Sequence, residues 1–197
     1  MPKLFFAVSS LILFFLCGTL KAQTLDALSA LDKAEAAHQV GDNITALEAI
    51  WIAQEAIWHL SPLGIRNVAF VTEEPEYFGV YKPKIGENFT PNELLILYCE
   101  PFGFTQRKEP DGTYTNSLLW SFNVLDSNGQ ILGGQNNIGP YTHQGYRTFS
   151  AEKMLALTIN LSQVPPGAYK LQMIITDNLN QSKSVEIQKP FNIVNQP

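Results

Sequence analysis

The sequence predicts a mainly β protein, an antiparallel β-sandwich preceded by a two-helix hairpin, and three observations carry that reading. From Leu63 onward apolar residues alternate with polar ones, which marks strands with one buried face. Turn-forming clusters punctuate the alternation at Pro110-Asp-Gly112, Asp126-Ser-Asn-Gly129, Pro165-Pro-Gly167 and Asp177-Asn-Leu-Asn180. Between Leu25 and Leu60 the chain is instead rich in Ala and Leu and lacks proline, with apolar residues three and four apart.

The first residues read as an export signal. Lys3 gives a positive start, Leu4 to Cys17 is an uncharged apolar run, and Leu20-Lys21-Ala22 supplies a small residue at the exit. The run is about 14 residues, short of the roughly 20 that a membrane-spanning helix needs. Residues 1–22 are therefore expected to be a cleaved signal peptide. No membrane span is expected after cleavage, and the mature chain starts at Gln23 in the periplasm or outside the cell. Cys17 raises a lipoprotein alternative, but Phe14-Phe15-Leu16 before it are not the small residues such a site carries.

Residues 23–62 are expected to form the hairpin. Leu25, Leu28 and Leu31 begin one stripe, and Ile44, Leu47, Ile50, Trp51, Ile57 and Trp58 make a second. Gly41 suits a C-terminal cap and Asp42 or Asn43 the next N-cap, which gives helices over 25–39 and 43–60, ended by Ser61-Pro62. The Trp51 and Trp58 side is too apolar to stay solvated and is expected to dock on something. Gly41-Asp42 followed by Ala46 and Ala53 resembles part of one tetratricopeptide repeat. The large first-helix positions of that repeat are occupied here by Ala30 and Lys33, and no second copy follows.

Residues 63–197 are expected to form the sandwich. Clear alternation marks strands at 118–124, 155–161, 169–175 and 185–193, with weaker runs at 64–71, 77–81 and 94–99. About seven or eight strands without an intervening helix suggest two packed sheets. The run Val164-Pro-Pro-Gly-Ala-Tyr-Lys-Leu171, with Asp177 and Pro190-Phe-Asn-Ile193, resembles the last hairpin of immunoglobulin-like modules in exported bacterial proteins. Tyr98-Cys-Glu-Pro-Phe-Gly-Phe104 is similar to a segment of exported bacterial proteins that carry a helical hairpin before such a sandwich. These resemblances imply an architecture and no activity.

Charge narrows the partners. Loss of Lys3 and Lys21 would leave 11 Lys and Arg against 18 acids, a net charge of −7. No basic cluster stands out, so nucleic acid is not an expected partner. Cys99 would be the only cysteine left after cleavage, so an intrachain disulfide is excluded, and its apolar setting predicts a buried, inert thiol. His38, His59 and His143 lack metal-ligand spacing, and no phosphate loop, dinucleotide fingerprint or nucleophile elbow is present, so neither metal nor cofactor is expected. Asp126, Asn128, Asp177, Asn178 and Asn180 could offer oxygens to calcium, but the same residues make β-turns unaided.

Glu100 is the weak catalytic candidate. It follows an apolar strand, and partial burial there would raise its pKa and suit general acid work, with Glu152 or Asp177 as the second carboxylate; the other reading has it accept hydrogen bonds from nearby amides or an arginine. The candidate binding residues are Glu100, Phe102 and Phe104 with Tyr141, His143, Tyr146 and Arg147. They lie in two non-periodic segments, 100–104 and 140–147, where loops are expected and where a rigid sandwich usually places its recognition groups. The competing reading folds the same aromatics over the sheet ends to cap the core. The leading expectation is a non-enzymatic interaction module for a protein or polar envelope ligand. The alternatives are a hydrolase of an envelope or extracellular polymer, with Glu100 as acid, and a structural component of an envelope complex.

Overall fold

The computed structural model describes residues 26–146 and 151–195. The expected export signal, Gln23 and Arg147 lie outside the described residues. The chain divides between Ser61 and Pro62 into two compact units.

The first unit holds α1 (26–39) and α2 (Asn43–Leu60). Gly41, at φ +79°, closes α1: its N–H reaches the His38 carbonyl and the Asp42 N–H reaches that of Ala37. This is the pairing of a Schellman cap, which places a left-handed residue where only glycine sits without strain. Asp42 then caps α2 by accepting from the Thr45 N–H at 3.1 Å, and hydrogen bonds from Thr45 hold its carboxyl below the usual carboxylate range. Ser61 ends α2 through its N–H on the Trp58 carbonyl and its hydroxyl on that of Ile57.

The buried face differs from the expected stripes. Ala27, Ala30, Ala34 and Ala37 of α1 and Ala46, Ala49 and Ala53 of α2 are buried, at spacings of three and four. Leu28, Leu31, Ile44, Leu47, Ile50, Trp51 and Ile57 are exposed, and of the second stripe only Trp58 is buried. Methyl-sized side chains let two helix backbones approach closely and lose no rotamer entropy on burial. The alanines form the seam, leaving the larger residues outside it.

The second unit is an antiparallel sandwich of the immunoglobulin-like kind. Its strands among the described residues are β1 (Gly64–Val71), β2 (Asn88–Phe89), β3 (Leu94–Phe102), β4 (Arg107–Lys108), β5 (Tyr114–Leu125), β6 (Ile131–Gly145), β7 (Leu155–Asn160), β8 (Gly167–Asp177) and β9 (Ser184–Ile193). One sheet has the order β1-β3-β7; the other runs β2-β9-β8-β5-β4, with β6 also paired to β5. Every pairing is antiparallel except β2 with β9. Leu118, Trp120 and Val124 of β5 and Leu171, Met173 and Ile175 of β8 are buried in matching registers, as their alternation predicts. Tyr169 donates its hydroxyl to the Pro165 carbonyl at 2.7 Å and so pins the turn before β8, as a tyrosine corner does.

β3 is buried on both faces, which explains its unbroken apolar run. Ile96 and Tyr98 pack with Val71 on one face beneath Ala69, Tyr81 and Met154, and Tyr81 stacks on Tyr98 at 4.1 Å. Leu95, Leu97 and Cys99 alternate to the other face. Cys99 is free and 1% exposed; burial, with a lesser push from the Glu100 charge, raises its thiol to about 12.

Two expectations need correction. Residues 77–81 form a covering turn held by single bridges, Tyr77 to Val80 and Val71 to Pro83; Pro75 and Pro83 cannot donate to a ladder. Residues 140–147, read as a loop, belong up to Gly145 to β6, a 15-residue strand exposed along nearly its whole length. A strand with both faces in water needs no apolar alternation, so its sequence shows none. Register shifts opposite Leu118, Trp120 and Val124 let it follow β5 despite its irregular sequence.

Candidate functional site

Strand direction decides what gathers at one end of the sandwich. The C-terminal ends of β3, β6 and β8 meet the N-terminal ends of β5 and β7 there: Cys99 pairs Leu155, Leu118 pairs both Tyr141 and Asp177, and Asn116 pairs His143. The two candidate segments, far apart in sequence, therefore reach the same end.

Lys153 joins them. It precedes β7, and its ammonium donates to the buried Asn116 carboxamide of β5 and, at 3.3 Å, to the Tyr141 carbonyl of β6. It also stands 5.7 Å from the centre of the Phe104 ring, a distance at which the ring face attracts a cation. Phe104 is 1% exposed, so it forms the floor and not the surface. Desolvation pulls the Lys153 amine down to about 8, against the opposing charge of Asp177.

Asp177 anchors the same end. Fully buried, it continues the inward alternation of Leu171, Met173 and Ile175. One carboxylate oxygen accepts from the Thr105 N–H at 2.5 Å; the other accepts from the N–H groups of Leu179 and Asn180. Lys183 crosses to donate to the Gly103 carbonyl at 2.7 Å, and burial lowers its amine despite the Asp177 charge. Segment 103–105, with Gly103 at φ +73°, is thus tied at its two ends to the end of β8 and to the residue before β9.

The outer surface of this end is aromatic and polar. Tyr141 is 45% exposed and meets Trp120 edge-on at 5.7 Å, while Tyr146 is 88% exposed just past β6. His143 is exposed on the same strand. Across the ladder, the Ser117 and Thr142 hydroxyls bond at 3.0 Å, and Gln144 donates to the Thr113 hydroxyl at 2.7 Å. Alternation along β6 puts Tyr141 and His143 on one face and the Thr142 hydroxyl and Gln144 amide on the other, with Tyr146 just past the strand.

Glu100 and Phe102 belong elsewhere. They share with Tyr98 the covered face of β3. The Glu100 carboxylate is 3% exposed and accepts from Arg66 Nε at 3.2 Å, Asn67 Nδ2 at 2.8 Å and the Tyr98 hydroxyl at 2.7 Å. Tyr98 in turn accepts from the Gly79 N–H, and burial followed by the Glu100 bond pushes its hydroxyl up to about 12. Phe102 pairs Gly64, and its ring fills the space where any Cβ on Gly64 would stand. The expectation that Glu100 and Phe102 join the Tyr141 group is therefore corrected: β3 ends at Phe102, and the turn at Gly103, φ +73°, carries Phe104 away from the face that holds Glu100.

Of the oxygen-bearing turn residues, Asp126 accepts from the N–H groups of Asn128 and Gln130, and Asp177 is occupied as described. Lys153 and Asn116 carry no signal in the sequence. Asp177 does, because the alternation of β8 places it on the buried face.

No family model matches the sequence, and no curated protein matches it. Among solved structures the chain is similar to the PKD domain of an M14-like peptidase from a Thermoplasmatales archaeon, at 13% identity and a TM-score of 0.38, covering 68% of this chain and 96% of that one. It is also similar to a family 123 glycoside hydrolase from Clostridium perfringens (11% identity, TM-score 0.42), covering 68% of this chain and 28% of that one. A third likeness is to the alkylpurine DNA glycosylase AlkC from Pseudomonas fluorescens (10% identity, TM-score 0.34), covering 77% of this chain and 39% of that one.

Proposed function

We propose that this chain is a non-enzymatic binding module working outside the cytoplasm, and that it recognises a protein or polar envelope ligand at the β6 end of its sandwich. Tyr141, His143 and Tyr146 form the contact row, with Arg147 next to them in sequence. The carrying observation is Lys153, whose single ammonium holds β5, β6 and the Phe104 segment together behind that row. A rigid support under exposed rings reduces the ordering cost of binding. Export rests on the N-terminal sequence pattern. Among the described residues, no helix is long and apolar enough to cross a membrane.

The hydrolase reading is less well supported. A general acid must reach its substrate, and Glu100 is buried with three donors on its carboxylate.

The test measures retention of the purified protein on immobilised peptidoglycan and on immobilised envelope proteins of the host. Tyr141→Ala, Tyr146→Ala and Arg147→Ala should each weaken retention about tenfold or more while thermal stability stays within a few degrees. Lys170→Ala, exposed near the other end of β8, should change nothing. Unaltered retention in all three variants would remove the assignment of this surface.

A further inference from the structure

We propose that the outer face of the helical hairpin is a self-association surface, taken up by the same face of a second copy of this chain. At about 100° per residue, Leu28 and Leu31 of α1 lie to one side of the alanine seam. Leu47, Ile50, Trp51 and Ile57 of α2 lie to the corresponding side. The helices run antiparallel, so both sets point to a single face of the hairpin. Each of the six is between 43% and 62% exposed. The opposite groove is of another kind, open and lined by Asp26, Lys33, Glu55 and His59 with Ser29 and alanines, and Ile52 is its one large apolar side chain.

The area fits such a partner. Six half-exposed large side chains offer roughly 500–600 Å² of apolar surface, at the top of what a typical monomer leaves uncovered. With its rim, that patch approaches the ~800 Å² per partner of a stable interface. A two-fold pair needs only one self-complementary patch, which is why such pairs are the commonest assemblies. Charge argues against a membrane as occupant. From residue 26 to residue 60 the acids are Asp26, Asp32, Glu35, Asp42, Glu48 and Glu55 against Lys33 alone, whereas a surface-lying helix needs a basic polar face. Asp26 and Glu55 line the opposite groove, so they do not oppose a second copy; Glu35, one turn after Leu31, shares the apolar side and its carboxylate accepts from Gln39 Nε2 at 3.2 Å.

The experiment uses the full chain purified after native processing. Light scattering between about 1 and 100 µM should pass from the mass of one chain to that of two, spanning the range of a micromolar dimer. Trp51→Gln and Leu47→Gln, both at exposed positions, should hold the protein at one chain with unchanged helical circular dichroism. Trp51 gives a second readout: the indole emission should move to the blue as concentration rises, and Trp51→Phe should abolish that movement. A single-chain mass at 100 µM overturns the proposal, and so does a two-chain mass that survives both glutamine variants. Binding to anionic phosphatidylglycerol vesicles in place of self-association overturns it in favour of a membrane.

Discussion

Asp177→Ala should lower the unfolding free energy of the sandwich by about 3–5 kcal/mol, the range found when one member of a buried charged network is removed. The carboxylate is fully buried and accepts three backbone N–H groups, from Thr105, Leu179 and Asn180. The chain has folded two otherwise unsupported segments around it, and alanine would leave their amides without acceptors in a site closed to water. Lys153 and Lys183 would at the same time lose the charge that offsets their burial. Asp177→Asn separates the two contributions. It keeps one carbonyl acceptor and removes the charge, so its loss should be smaller than that of alanine. Urea unfolding of the three proteins decides the matter, and a loss below about 1 kcal/mol in the alanine variant would mean that the amides find other acceptors.

Phe191→Ala should cost a similar amount, about 3–5 kcal/mol, by a different route. Phe191 is 1% exposed and sits where both sheets contribute rings. Phe70 of β1 meets it edge-on at 6.4 Å, Phe89 of β2 at 6.0 Å, and Tyr169 of β8 stacks on it at 5.6 Å. Alanine would leave a ring-sized cavity between the sheets, and the neighbours cannot collapse into it without breaking the Tyr169 bond to the Pro165 carbonyl. Phe191→Leu refills most of the volume and should recover more than half of the loss. Equal losses in the two variants would contradict the cavity account.

These two residues also show what the sequence discloses. Phe191 and the alternating positions of β5 and β8 were legible because one face of each strand is buried, and burial selects apolar residues at period two. The hairpin caps were legible because glycine at positive φ and an aspartate N-cap are local demands met by local residues. The buried face of the hairpin is not legible from side-chain size, because a close helix contact selects small side chains. β6 was missed because a strand wetted on both faces has no period to read. The candidate surface was half legible: Tyr141, His143 and Tyr146 stand out as rings in an irregular segment. Their link to Phe104 passes through Lys153, one ordinary lysine whose importance depends on strand order. Glu100 is near Phe104 in sequence, but the turn at Gly103 after the end of β3 parts the two, and no residue before that turn announces it.

The supported surface depends most on Lys153 standing desolvated where the two segments meet, and the titration of its side chain tests this directly. With lysine selectively labelled, nuclear magnetic resonance should show one amine with a midpoint near 8, lost in Lys153→Gln and well below the ~10.4 of a free lysine side chain. The folded midpoint lies below the unfolded one, so the unfolded chain holds more protons between the two values and stability should rise with pH from about 8 towards ~10.4. Phe104→Ala, which uncovers the ammonium, should move the midpoint back towards the solvated value, whereas Asn116→Ala, which removes an acceptor from it, should lower the midpoint further. A Lys153 midpoint near ~10.4 in the unaltered protein would place that ammonium in water and contradict the supported surface proposed for this end of the sandwich.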